Sequence, residues 1–261
     1  MARTLLDRFE GRCDRFDVHV MTIKRAPAVI DLVQGVSGLL LGLFMWAHML
    51  FVSSILISND AMYLVARAFE GMPVLSEPEP MLVSAAVAAI AFLFALHALA
   101  ALRRIPAGWS EQNILWTHAR RFNHPDTWLW IVQVITGMLI LVMAPVHLYG
   151  MFMHPADIGP YASSDRFVTG GMWPLYLALL FAVELHGGIG LYRVVIKWGW
   201  WPATGDIRVA RKRLKTLKWS LTVFFLTLGL STFAAYVKIG LEHAPFAGER
   251  YVPTWVEQGG R

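Results

Sequence analysis

The polar residues of this chain are gathered into the gaps between five long apolar runs. Those runs are Ile30–Ile57, Met81–Leu102, Thr127–Met151, Met172–Ile196 and Thr216–Val237. Each is long enough to cross a hydrocarbon layer as a helix, which takes about 20 residues. Backbone groups in lipid must be satisfied internally, so single apolar runs of this length predict helices and not lone strands. The expected fold is all-α and polytopic. One membrane domain fills residues 1–261, with an inner arm over 1–27, a five-helix transmembrane bundle over 28–240 and an outer tail over 241–261.

Composition agrees. The chain is 56% hydrophobic and 16% charged, against about 25% charged in ordinary soluble domains. The first 20 residues, MARTLLDRFEGRCDRFDVHV, lack the long apolar stretch of a secretory signal and alternate charged with apolar positions, as a surface helix does. Basic residues set the orientation. Eighteen of the 23 Lys and Arg fall in the arm up to and including Arg25, between runs two and three, or from Arg193 to Lys218; only Arg67, Arg166, Lys238, Arg250 and Arg261 fall on the other side. Positive charge stays inside, so the N-terminus is expected in the cytoplasm and the C-terminus outside. The net charge of +5 follows from this topology and gives no reason to expect nucleic acid. Trp109, Trp116, Trp128 and Trp130, and Trp198, Trp200 and Trp201, lie where interface anchors belong.

The candidate chemistry lies in four histidines, one in each of the first four runs: His48, His97, His147 and His186. An ionisable residue inside a membrane helix is costly and marks function. Following the chain in and out, His48 and His147 share the outer half, and His97 and His186 the inner half. Two imidazoles from different helices suit the axial positions of a b-type haem, whose porphyrin supplies the other donors. Zinc or copper asks for more protein ligands. The single Cys13 excludes an intrachain disulfide, a CxxCH haem attachment and a cysteine-held iron–sulfur cluster, and reads as an inert thiol. Gly35, Gly38 and Gly42, and Gly187, Gly188 and Gly190, leave room for a macrocycle, although helix packing alone accounts for them. His19, His118, His124, His154 and His243 read as loop or interface residues. Glu184 lies two residues from His186 and on another helix face; it suits a proton relay or a hydrogen-bonded packing role. Glu70, in the loop after run one, reads by itself as a solvated acid.

The runs GLLLGLFMWAHMLFVS, PVHLY and MWPLYLALLFAVELHGGIGLYRVVIKWGW resemble the dihaem cytochrome b subunit of quinol:fumarate reductase. The resemblance covers about Asp31 to Lys238 and leaves out the arm and tail. It implies a five-helix bundle enclosing two haem b groups, the proximal one on His97 and His186 and the distal one on His48 and His147. It implies oxidation of menaquinol near the outer side, with Glu70 taking a proton and Glu184 carrying compensating protons inward. It places Gln34, Trp130 and Lys197 near haem propionates; Arg166, the lone basic residue of the second outer loop, reads from its position as a partner for a distal propionate. The implied partners are an iron–sulfur subunit and an FAD-containing flavoprotein subunit on the cytoplasmic side, with membrane lipid around the bundle and a possible dimer of the whole complex. The same architecture run in reverse is a succinate:quinone reductase. The subunit of a hydrogenase or formate dehydrogenase also uses intramembrane histidines but is not suggested by ELHGGIGLYR. A haem-free proton-coupled transporter is the rival from another class; the two-level histidine pairing argues against it, and no internal repeat is evident.

Overall fold

The computed structural model describes the backbone of residues 3–200 and 206–259, and the side chains of 26–200 and 206–256. Trp201 and the side chains of Cys13 and His19 lie outside the described residues. The elements run α1 (Arg3–Val52), a 3-10 turn (Ser53–Leu56), α2 (Asn59–Phe69), α3 (Met81–Leu102), α4 (Trp109–Phe122), α5 (Pro125–Met153), α6 (Pro160–Phe167), α7 (Trp173–Lys197), α8 (Ile207–His243), a second 3-10 turn (Ala244–Phe246) and α9 (Thr254–Gly259). No strand occurs among the described residues. Five stretches are long and apolar enough to cross a membrane: Ala26–Leu56, Met81–Leu102, Pro125–Met153, Trp173–Lys197 and Ile207–Phe246. The chain is an all-α, multi-pass membrane protein.

The spans match the five apolar runs, with one instructive difference. The fifth begins at Ile207, well before Thr216. Helix is set by backbone hydrogen bonds and capping, and the Asp206 carboxylate accepts from the Arg208 N–H at 2.8 Å to start α8. At about 1.5 Å per residue, α8 is about 55 Å long, far more than the hydrocarbon thickness, so its basic first turns stand clear of the lipid. Short helices also fill the connections. Ser58 caps α2 by accepting from the Ala61 N–H at 2.9 Å. Asn123, at φ 43°, closes α4 in the left-handed conformation. Pro125 then opens α5, where its missing N–H costs nothing.

Helices α1, α3, α5 and α7 form a ring in which each packs on two neighbours, and α8 lies against α7 and α1. Met49, Leu180 and Phe225 make one buried cluster between α1, α7 and α8. Ile55, Met62 and Tyr236 make a second toward the C-terminal end of α8. Most other large apolar side chains face outward, Val142 at 71% and Phe92 at 71% exposed among them. That surface suits lipid and no aqueous solvent.

Candidate functional site

The four histidines meet in the pairs that depth predicts. The His97 and His186 ring centroids lie 6.3 Å apart, and those of His48 and His147 also 6.3 Å apart. Two metal–nitrogen bonds of about 2 Å, each continued by about 1 Å to the ring centre, need about 6 Å. Each pair therefore has the spacing of two axial ligands on one iron.

The inner pair is held by a motif that occurs twice. Gln34-x-x-Ser37-Gly38 on α1 is repeated as Gln133-x-x-Thr136-Gly137 on α5. The Gln34 carbonyl lies 3.1 Å from His97 Nδ1, and the Gln133 carbonyl 2.8 Å from His186 Nδ1. A carbonyl only accepts, so both protons sit on Nδ1 and both Nε2 atoms keep their lone pairs for a metal. The glycines make room for the rings: a Cβ on Gly38 would come within 2.7 Å of the His97 ring, and one on Gly137 within 2.8 Å of the His186 ring. Ser37 and Thr136 each donate back to the carbonyl four residues earlier, both at 2.7 Å. In both helices the next ligand follows the glycine after nine residues, as His48 and His147. This corrects the expectation that the chain has no internal repeat. The repeat rests on four positions in fifteen, and the intervening apolar residues face lipid or core and are interchangeable.

The outer pair has other neighbours. His147 meets Tyr176 edge-on, with centroids 5.5 Å apart, and its Nδ1 has no hydrogen-bond partner. Arg166 reaches the same region, donating to the Asp157 carbonyl at 2.5 Å. Sequence reasoning passed over Tyr176, Gly137 and Gln133, because aromatics near a helix start and small or amide residues inside one are common on packing grounds alone.

Among the described residues no three His, Cys, Asp or Glu side chains converge as a closed metal site. The donor set therefore fits a cofactor that brings its own equatorial ligands, as haem does.

The remaining candidates fall in several places. Glu70 caps α2 and is fully buried, no solvated loop acid. Its carboxylate pairs with Arg67 at 2.5 Å. Burial pushes the carboxyl above its usual range, against the pull of the Arg67 and Arg250 guanidiniums. Glu184 is also fully buried, and its polar neighbour is the Trp46 indole on α1, itself stacked on Phe225 at 5.2 Å. At the C-terminal end of α7 Lys197 pairs with the Asp31 carboxylate, which Arg104 contacts as well and Arg103 approaches at 3.6 Å. The Gln34 side-chain oxygen is buried without a partner, and Trp130 is half-buried on α5, one turn from Gln133. Lys218, which the charge pattern counts among inner-loop cations, is a buried residue of α8.

A family model described as succinate dehydrogenase/fumarate reductase transmembrane subunit matches residues 109–230. The fumarate reductase cytochrome b subunit of Helicobacter pylori (strain 26695) is 48% identical over 216 residues, 83% of each chain. The protein of the same name from Wolinella succinogenes is 44% identical over 218 residues, 84% of this chain and 85% of that one.

Proposed function

The chain belongs to the family of fumarate reductase cytochrome b subunits, and from that premise we propose that it oxidises menaquinol and carries the electrons through two bis-histidine b haems toward fumarate. His97 and His186 would hold the inner haem, and His48 and His147 the outer one. The bound haems supply one-electron carriage at two depths of the membrane. What supports this reading above all is that both pairs stand at 6.3 Å, each from two different helices.

The protein supplies orientation and proton handling. The Gln34 and Gln133 carbonyls fix the tautomer and turn of the inner ligands. Lys197, Trp130 and Gln34 would meet the inner haem's propionates, and Arg166 those of the outer one. Menaquinol gives up two protons with its two electrons. Glu70 takes a proton at the outer side, its buried carboxylate held ready by Arg67. Glu184 hands protons inward, so that charge movement by the electrons is offset. Electrons leave on the cytoplasmic side to an iron–sulfur subunit and then an FAD-containing flavoprotein, where fumarate is reduced. The chain lies in the bacterial inner membrane with its N-terminus inside and its C-terminus in the periplasm.

A reduced-minus-oxidised spectrum of the purified chain, with a pyridine haemochrome assay, tests this. Two b haems per polypeptide with separate midpoints are expected. Substituting any one of the four histidines is expected to remove or loosen one of them. A folded preparation without haem overturns the assignment.

A further inference from the structure

Lys218 is a lysine inside a membrane helix, 5% exposed, with no hydrogen-bond partner for its ammonium and only the Trp219 ring beneath it, 3.0 Å from Nζ to the ring centre. A buried cation without a counter-ion is expensive and calls for a use.

Its surroundings suggest one. Helices α7 and α8 run antiparallel and touch where Thr222 sits against Gly188, with the threonine Oγ1 2.7 Å from where a Cβ would stand. One turn outward on α7 is Glu184. One turn inward are Tyr192 on α7 and Lys218 on α8, both buried. The Tyr192 hydroxyl donates to the Asp126 carboxylate at 3.4 Å, and Lys215 pairs with the same oxygen at 2.7 Å. Asp126 and Lys215 are each about one-third exposed. Polar groups thus follow one another along a single helix interface, in steps of about 6 Å, from the level of Glu184 to the inner surface.

We propose that Lys218, with Thr222 and Tyr192, forms the inner half of the proton path, ending at Asp126 and Lys215. The inference rests on the inward proton movement proposed above. The Lys218 ammonium gives a proton to the Tyr192 oxygen as the phenolic proton moves to the Asp126 carboxylate, and Asp126 releases it to the cytoplasm. The amine left behind takes up a proton delivered at the level of Glu184 through water and the Thr222 hydroxyl, and the N–H bond is restored. No electron moves in these steps, and each group ends as it began.

The test uses the whole complex in proteoliposomes, with a reduced naphthoquinone as donor. Lys218→Met is expected to slow quinol-driven fumarate reduction at least tenfold. Haem content, haem midpoints and fumarate reduction from a viologen dye are expected to hold. Lys218→Arg is expected to stay slow, because a guanidinium keeps the charge and the ring contact but does not release its proton. Lys218→Gln replaces the methionine variant should that one assemble poorly. Full quinol activity in the neutral variants, rescue by arginine, or loss of the inner haem each overturns the proposal; the last would make the ammonium a haem counter-ion. Glu184→Gln is measured beside them. If it too runs at full rate, the inward-proton reading itself falls; if it is slow while Lys218→Met is fast, only the Lys218 path falls.

Discussion

Glu70 shows how much a single side chain gains from its surroundings. In sequence it is one acid in ARAFEGMP, after an apolar run, and nothing in those letters reports that α2 folds back to enclose it. In the structure it is fully buried against Arg67, and burial raises its proton affinity while Arg67 and Arg250 lower it. The folded chain therefore holds this proton more tightly than the unfolded chain. Stability from the group falls as pH rises from the ordinary glutamate range through the raised folded value, and is level above it. Glu70→Gln is expected to flatten that part of the melting-temperature profile in detergent. Activity moves oppositely, because a proton acceptor works as the carboxylate. Removing the guanidinium raises the carboxyl further, so Arg67→Gln is expected to shift the acid limb of quinol oxidation to higher pH, with a severalfold loss on that limb and a dye-driven rate that is unchanged. An acid limb that stays in place would show that Arg67 serves folding alone.

At the scale of elements, the sequence was most legible where physics is least specific. Hydrocarbon selects for length and apolarity, so five spans could be read from runs of Leu, Val, Ala and Phe, and the depths of four histidines followed. Helices α2, α4 and α6 could not be read this way, because caps such as Ser58 and Asn123 define them and apolar periodicity does not. The paired motif on α1 and α5 was hidden for a related reason: its chemistry uses one carbonyl, one hydroxyl and one missing side chain, and a carbonyl has no letter of its own. The motif makes a quantitative demand. A methyl group at Gly38 or Gly137 would lie within 2.8 Å of an imidazole already tied to a carbonyl. Overpacking of this kind costs about 1–3 kcal/mol. Gly38→Ala and Gly137→Ala are each expected to reduce inner-haem occupancy by half or more in a haemochrome assay, while the outer haem is kept. Gly150→Ala, on the same helix as Gly137 but with nothing within 4 Å of the added methyl, is the control and is expected to keep both. Equal haem content in all three would mean that the rings move aside freely.

For the whole molecule, basic residues predicted which end faces which compartment, and the structure adds what the C-terminal segment does there. Asp60 on α2 accepts from the Tyr251 hydroxyl at 2.8 Å and from the Thr254 N–H at 3.1 Å. Asp165 on α6 holds His243 at 2.8 Å and the Gly248 N–H at 2.9 Å. Arg250 reaches the Ala156 carbonyl at 3.0 Å and Asp157 at 3.1 Å. The segment after α8 is thus a strap joining α2, which ends in Glu70, to α6, which carries Arg166. Its bonds lie among side chains of Asp, Tyr and Thr scattered over nearly 200 positions, and so no local pattern announced it. The strap and the orientation can be tested together, since trypsin cuts after Arg250. With the C-terminus outside, protease added to intact spheroplasts is expected to reach this bond, slowly in the parent chain and at least tenfold faster in an Asp60→Asn, Asp165→Asn double variant. The hydrogen bond from Thr254, with that from Tyr251, holds the Asp60 carboxyl below its ordinary range. Its contribution is therefore present above the unfolded aspartate value and is lost as pH falls through the lowered folded one, so acid is expected to loosen the parent strap toward the variant. Cleavage seen only in inverted vesicles would reverse the topology. Equal rates in parent and variant would leave the orientation intact but remove the strap as a restraint on the outer site.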